Sequence, residues 1–277
     1  MFHCTPHPGL GTVVVRQVQV DLATCKTTPH AAAKPAAGPT VRVTKDSQSI
    51  VFKGKVVLKI HENHQGFPDG SPGPIELFGT TPDRRWVLYA IDPQGSASLA
   101  ADGLQLRAAP VGGGRTRAVA FGLLADDYRA WCGGRLVMTA GGDRIATHDK
   151  WLVVTGPPGW HARVLAKDPH TAFGALACGT DGRSIVVESS PASGPNMNVH
   201  AHWSIWRIGL DGSRTRLTTP PAGASDESPH VLGTTVYFVR SGSLYALRGR
   251  ALVGPLLRLP PVDAYYGHTA WPYTVTR

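Results

Sequence analysis

Residues Trp203–Arg248 read WSIWRIGLDGSRTRLTTPPAGASDESPHVLGTTVYFVRSGSLYALR. Trp206, Ile208 and Leu210 fall on one side of a two-residue alternation and Trp203, Ile205 and Arg207 on the other, which is the period of a strand. Asp211-Gly212 supplies the backbone freedom of a tight hairpin turn, and Arg214–Thr218 return as the next strand. Pro220 and Pro221 have no amide to give to a ladder and end it. Asp226-Glu227-Ser228-Pro229-His230 opens a further unit. Thr235–Arg240, TVYFVR, is rich in β-branched and aromatic residues, as a buried strand is, and Ser241-Gly242 turns the chain into Ser243–Arg248. The stretch is therefore the outer half of one antiparallel four-stranded unit running into most of the next.

Trp206, Leu210, Asp211, Gly212, Arg216, Leu217 and Thr218, followed by Asp226, Glu227, Ser228, Pro229 and Tyr237–Arg240, resemble the TolB-type, WD40-like (PD40) β-propeller repeat. Where that family usually carries a Ser-Pro-Asp-Gly turn after its inner strand, this chain has Val231-Leu232-Gly233-Thr234. The resemblance implies an all-β propeller. It implies little about activity, because propellers host many unrelated ones; at most it points to interaction with envelope proteins.

Weaker echoes of the unit run through the chain. Arg85 to Arg135 is 50 residues, Arg135 to Arg183 is 48 and Arg183 to Thr234 is 51, a propeller-sized period. Full units are expected from Pro74 to Ala118, Tyr128 to Leu165, Gly174 to Thr218 and Pro229 to Leu259, with three short strands in Val41–His61. Thr24–Pro39 and Glu62–Gly73 read as mobile loops (24–39 and 62–73). Gly11–Leu22 reads as one strand, aligned with the third strand of a unit, and Tyr265–Ala270 and Tyr273–Arg277 as two more without partners. The fold class expected is all-β: a six-bladed β-propeller forming a single domain over residues 1–277, closed by N- and C-terminal strands that share one blade, two from each end.

Composition agrees with many short strands: 32 Gly, 23 Pro and 42% hydrophobic residues in 277. The longest apolar run, near Ala118–Ala125, is too short for a membrane span. The formal charge of +9 comes from scattered pairs such as Arg84-Arg85 and Arg248/Arg250, not from a basic cluster interleaved with aromatics, so no nucleic-acid partner is expected.

Four cysteines pair by position. Cys4 and Cys25 bracket the first strand; Cys132 and Cys178 occupy matching points of consecutive repeats, 46 residues apart. Disulfides Cys4–Cys25 and Cys132–Cys178 are expected, each worth on the order of 3–4 kcal/mol, with four buried free thiols in a reducing compartment as the alternative. The paired cysteines favour a periplasmic or secreted protein. MFHCTPHPGLGTVVV lacks the basic and long apolar regions of a secretory signal, which keeps a cytoplasmic chain as the alternative.

Site chemistry is sparse. There is no Gly-x-Ser-x-Gly elbow and no phosphate loop before a helix. His61-Glu62-Asn63-His64 has the wrong spacing for a zinc helix, and His200 and His202, on one side of a strand, are a weak metal pair with no third ligand nearby in sequence. Asp226, Glu227 and His230 at the start of one inner strand, with Tyr266 and His268 in the equivalent place of the last blade, are the candidate ligand-binding residues at the mouth of the central channel. The function expected is a non-enzymatic, TolB-like binding or scaffold propeller, monomeric, without cofactor, taking a protein or glycan partner. The alternative is a propeller lyase or hydrolase with His230 and His268 as acid and base.

Overall fold

The computed structural model describes residues 3–30, 41–60, 74–92, 103–195, 201–264 and 266–276. In chain order the strands are Thr12–Val15 (β1), Val18–Asp21 (β2), Thr27–Pro29 (β3), Val41–Val43 (β4), Ser49–Phe52 (β5) and Lys55–Lys59 (β6). Then come Ile75–Thr80 (β7), Trp86–Ile91 (β8), Gly103–Pro110 (β9), Arg117–Leu123 (β10), Arg129–Cys132 (β11), Arg135–Ala140 (β12), Trp151–Thr155 (β13) and Arg163–Ala166 (β14). The last nine are Thr171–Cys178 (β15), Ser184–Pro191 (β16), Ser204–Gly209 (β17), Arg214–Arg216 (β18), Asp226–Leu232 (β19), Thr235–Arg240 (β20), Ser243–Arg248 (β21), Ala251–Arg258 (β22) and Tyr273–Thr276 (β23). Among the described residues the only helix is a single 3-10 turn, Asp126–Tyr128.

These strands form antiparallel sheets ordered β4-β5-β6, β10-β9-β8-β7, β11-β12-β13-β14, β15-β16-β17-β18, β19-β20-β21-β22 and β23-β1-β2-β3. Each sheet packs face to face on the next through its own apolar cluster. Ile50 with Val87 and Tyr89 seals the first pair of sheets. Leu88 and Leu106 with Met138 seal the second, and Val137 and Val154 with Ile185 and Val187 the third. Val186 and Ile205 with Phe238 seal the fourth, and Tyr237 and Leu244 with Val13 and Val15 the fifth. Along β20, Val236 and Phe238 go to one cluster and Tyr237 and Val239 to the other, so the sheet is buried on both faces. That is the physical reason TVYFVR is apolar at nearly every position instead of alternating with polar residues. The first strands of neighbouring sheets stand side by side: β4 by β7, β11 by β15, β15 by β19 and β19 by β23. Sheets packed face to face with converging first strands make a β-propeller.

The ends of the chain meet. β1 pairs with β23 in the register Thr12↔Thr276, Val13↔Val275, Val14↔Thr274 and Val15↔Tyr273. The expected sharing of two strands from each end is corrected to three from the start and one from the end. Gly11–Leu22 is a hairpin and not one strand: the chain reverses at Arg16-Gln17, with Arg16 at φ 56°, a turn with no glycine to mark it. Thr27–Pro29, expected within a mobile loop, pairs with β2 as the outer strand. Residues 266–270 form a turn with Tyr266 at φ 50° and no strand, because their hydrogen bonds go to three other sheets. The rest of the first expected loop (31–39), and residues 62–73, lie outside the described residues.

Both disulfides form, Cys4–Cys25 with Cα atoms 5.8 Å apart and Cys132–Cys178 with 5.3 Å. The second joins the ends of β11 and β15, the matching points of neighbouring first strands. Its 46-residue separation makes it worth on the order of 4 kcal/mol in restricted unfolded chain. The Cys132→Ser/Cys178→Ser variant should lose about that much in urea unfolding, and thiol titration of the denatured, unreduced wild type should find no free thiol.

Candidate functional site

The end of the molecule where the first strands converge is shaped by two interruptions. The β15–β16 register shifts between Phe173 and Leu176, and the β19–β20 register between Glu227 and His230. Each bulge takes amides out of its ladder. One side chain collects two of them: Glu188, from β16, accepts the Ala175 amide at 2.9 Å and the Ser228 amide at 2.6 Å. The carboxylate is 2% exposed and ties two neighbouring first strands. A Cβ at Gly174 would stand 2.2 Å from its Oε2, so that position has room only for glycine.

The segment 266–272, between β22 and β23, crosses this end as a strap. The Tyr266 carbonyl accepts the Ala146 amide at 2.9 Å, and the Tyr266 hydroxyl takes a bond from Arg144 at 3.2 Å. Trp203 Nε1 donates to the Gly267 carbonyl at 3.1 Å, and Ser228 Oγ to the Thr269 carbonyl at 3.2 Å. Trp271 Nε1 donates to Glu227 at 2.7 Å, and Tyr273 Oη to the Ser228 carbonyl at 2.5 Å. Beside the strap lies a cavity of about 830 Å3, whose walls include Asp127, Arg144, Leu176, His230, His268 and Trp271.

The candidates read from sequence divide. His230 and His268 line the cavity. Glu227 stands behind it, held by Trp271. Asp226 is fully buried in a two-pronged pair with Arg240, at 2.6 and 2.9 Å across β19 and β20, a structural arrangement away from the cavity wall. Tyr266 sits at the edge with Arg144 over its ring. His200 lies outside the described residues, and His202 opens onto a different cleft. Among the described residues no three metal-ligating side chains come together. Sequence reasoning missed Glu188 and Asp127. A lone Glu directly after the apolar run Ile185-Val186-Val187 was the available signal for the first; nothing marked the second.

The buried charges are coupled. Burial pushes the Glu188 carboxyl up to about 8, against the pull of His268 and of the two amides. Burial pulls the His268 imidazole down, but Asp127, whose carboxylate is 3.4 Å away, and the charges of Glu188 and Glu227 outweigh it, so His268 stands above its ordinary value. His230 goes the other way: burial keeps it neutral to lower pH, opposed only by Asp127, and its ring meets Tyr273 edge-on at 4.4 Å. Glu227 is raised by burial, and Tyr128 and Tyr273 well above their usual range for the same reason. Tyr128 packs edge-on against His268 at 4.7 Å. The site therefore combines a mostly buried imidazole, raised by the acidic groups around it, with apolar and aromatic walls.

No family model matches the chain, and no curated protein does. Among solved structures it is similar to a chain designated TolB from Agrobacterium tumefaciens, 14% identical over 90% of this chain and 89% of that one, TM-score 0.47. An oligogalacturonate lyase in complex with manganese is 10% identical over 95% and 85%, also TM-score 0.47. A puromycin hydrolase is 13% identical over 95% of this chain and 46% of its own, TM-score 0.46. The architecture accordingly rests on this chain's own sheet order and inter-sheet cores.

Glu188 gives the fold a pH signature. Its ordinary value is 4.5 and its folded value about 8, so between them the folded state holds a proton that the unfolded chain has released. The stabilisation is complete below about 4.5 and is lost as pH rises towards 8. Urea unfolding of wild type and Glu188→Gln from pH 5 to 8 should show the difference moving against the wild type, by at most about 1.4 kcal/mol per pH unit. A difference that does not vary with pH would contradict this.

Proposed function

We propose that the chain is a six-bladed propeller, a single domain over residues 1–277 clasped by β1 and β23, that works outside the cytoplasm as a monomeric binding module. Its ligand is the end of a peptide or glycan chain, which enters the cavity beside the strap. The observation that carries this reading is the cavity itself: about 830 Å3, within the roughly 300–1,000 Å3 of ligand pockets, with mostly fixed polar groups set in an apolar wall. The compartment rests on the two disulfides, which persist where thiols are oxidised.

Binding is favoured over the alternative of a lyase or hydrolase by the histidines. Both ring nitrogens of His268 are sealed from solvent, and Nε2 is turned to the Asp127 carboxylate at 3.4 Å. An acid or base must reach its substrate's proton. His230 faces the cavity but is packed against Tyr273, which suits an orienting role.

Ala270 is exposed on the cavity wall, so Ala270→Trp fills the space without disturbing the core. Panning peptide and glycan libraries against both proteins should yield ligands that bind wild type at least tenfold more tightly than Ala270→Trp. Ligands indifferent to the substitution would remove the cavity from the reading. Turnover of a library member by wild type, abolished in His230→Ala, would replace binding with catalysis.

A further inference from the structure

A second cleft, of about 590 Å3, opens where the β15–β18 sheet overhangs its neighbour. β15 and β16 are eight residues long, whereas β13 and β14 opposite them have five and four. The face that Ile185, Val187 and Ile208 present to the β11–β14 sheet therefore continues past the end of that sheet into Ser189, Ser204 and Trp206. Beyond the overlap this face is not apolar. Arg214 and Arg216, two apart on the outer strand β18, point the same way, paired across the ladder with Ile208 and Trp206. His170 and His202 stand at the rim, and the chain from Pro220 to Ala224 forms the far wall.

The charge in this cleft is one-sided. Its one carboxylate, Asp168, accepts the His170 amide at 2.8 Å. Among the described residues neither arginine has a carboxylate within ion-pair distance: Arg216 uses its Nε on the Thr218 carbonyl at 2.9 Å, and Arg214 lies over the Phe173 ring at 5.9 Å. The indole of Trp206 is fixed by its bond to Ser204 Oγ at 3.0 Å, with Arg216 6.0 Å from its ring. Two guanidinium groups beside a half-buried, oriented indole and two imidazoles match an anionic oxygen group carried on a small body.

We propose that this cleft is a second binding site, separate from the cavity beside the strap, for a small ligand bearing a carboxylate or phosphate group held by Arg214 and Arg216 next to Trp206. The Trp206 indole N–H, identified in the nitrogen–proton NMR spectrum by its loss in Trp206→Phe, reports on the cleft directly. Inorganic phosphate and glucuronate are the two probes, with glucose as the uncharged control. At least one anion should shift this resonance saturably, with affinity that falls as salt is added, and at least tenfold more weakly in Arg214→Ala/Arg216→Ala. Ala270→Trp should leave the titration unchanged. A response to phosphate alone, or to glucuronate alone, assigns the anion. Both arginines are exposed on an outer strand, and the other indole resonances verify that the double variant is folded. No saturable shift with either anion, equal shifts in the double variant, or an equal response to glucose would overturn the site.

Discussion

Bulged strands leave amides that must be satisfied, and in this protein one carboxylate does it for two sheets. A buried amide without a partner costs about 1–3 kcal/mol, so the Ala175 and Ser228 amides together favour a carboxyl group at a position where burial alone would exclude one. Glu188 is held there at the expense of its own ionisation, which is why its proton is retained to about pH 8. Everything at this end follows from that arrangement. Ser228 is fixed at φ 50° by its bond to Glu188; its carbonyl takes the Tyr273 hydroxyl, and its hydroxyl takes the strap at Thr269. The imidazole of His268 is then caught between Asp127 and the same carboxylate. The part of the cavity wall formed by Ser228, His268 and Tyr273 is built on this cluster.

Two-sided burial organises the remainder. Each interior sheet divides its side chains between two clusters, so each depends on both neighbours. The terminal sheet is completed by β23, and Cys4, bonded to Cys25 of the same sheet region, also bridges to Leu257 on β22. The start of the chain is thereby fixed to the penultimate sheet as well as to the final strand. Where one sheet is shorter than the next, the shared core ends and a cleft begins. The basic cleft on the β15–β18 sheet is the result.

The sequence by itself determined the all-β class, the repeat near fifty residues, the strands Thr235–Arg240 and Ser243–Arg248 to the residue, both disulfide pairings and the meeting of the two ends. The class and the strands are local matters of period and turn chemistry; the disulfides and the meeting of the ends follow from matching positions within a repeat and from the strands left without partners at each end. His230 and His268, singled out from the sequence, both line the cavity, His230 from within β19 and His268 from the strap. Only the tertiary structure decided that three strands come from the start of the chain and one from its end, because the Arg16-Gln17 reversal carries no glycine or proline and Tyr266–Ala270 gives its hydrogen bonds to other sheets. Only it separated Asp226, neutralised by Arg240 on the next strand, from the residues that face the cavity. Glu188 and Asp127 acquire their meaning from groups 40 and 141 positions away, Ser228 and His268. Electrostatics at that separation exists only once the sheets have packed.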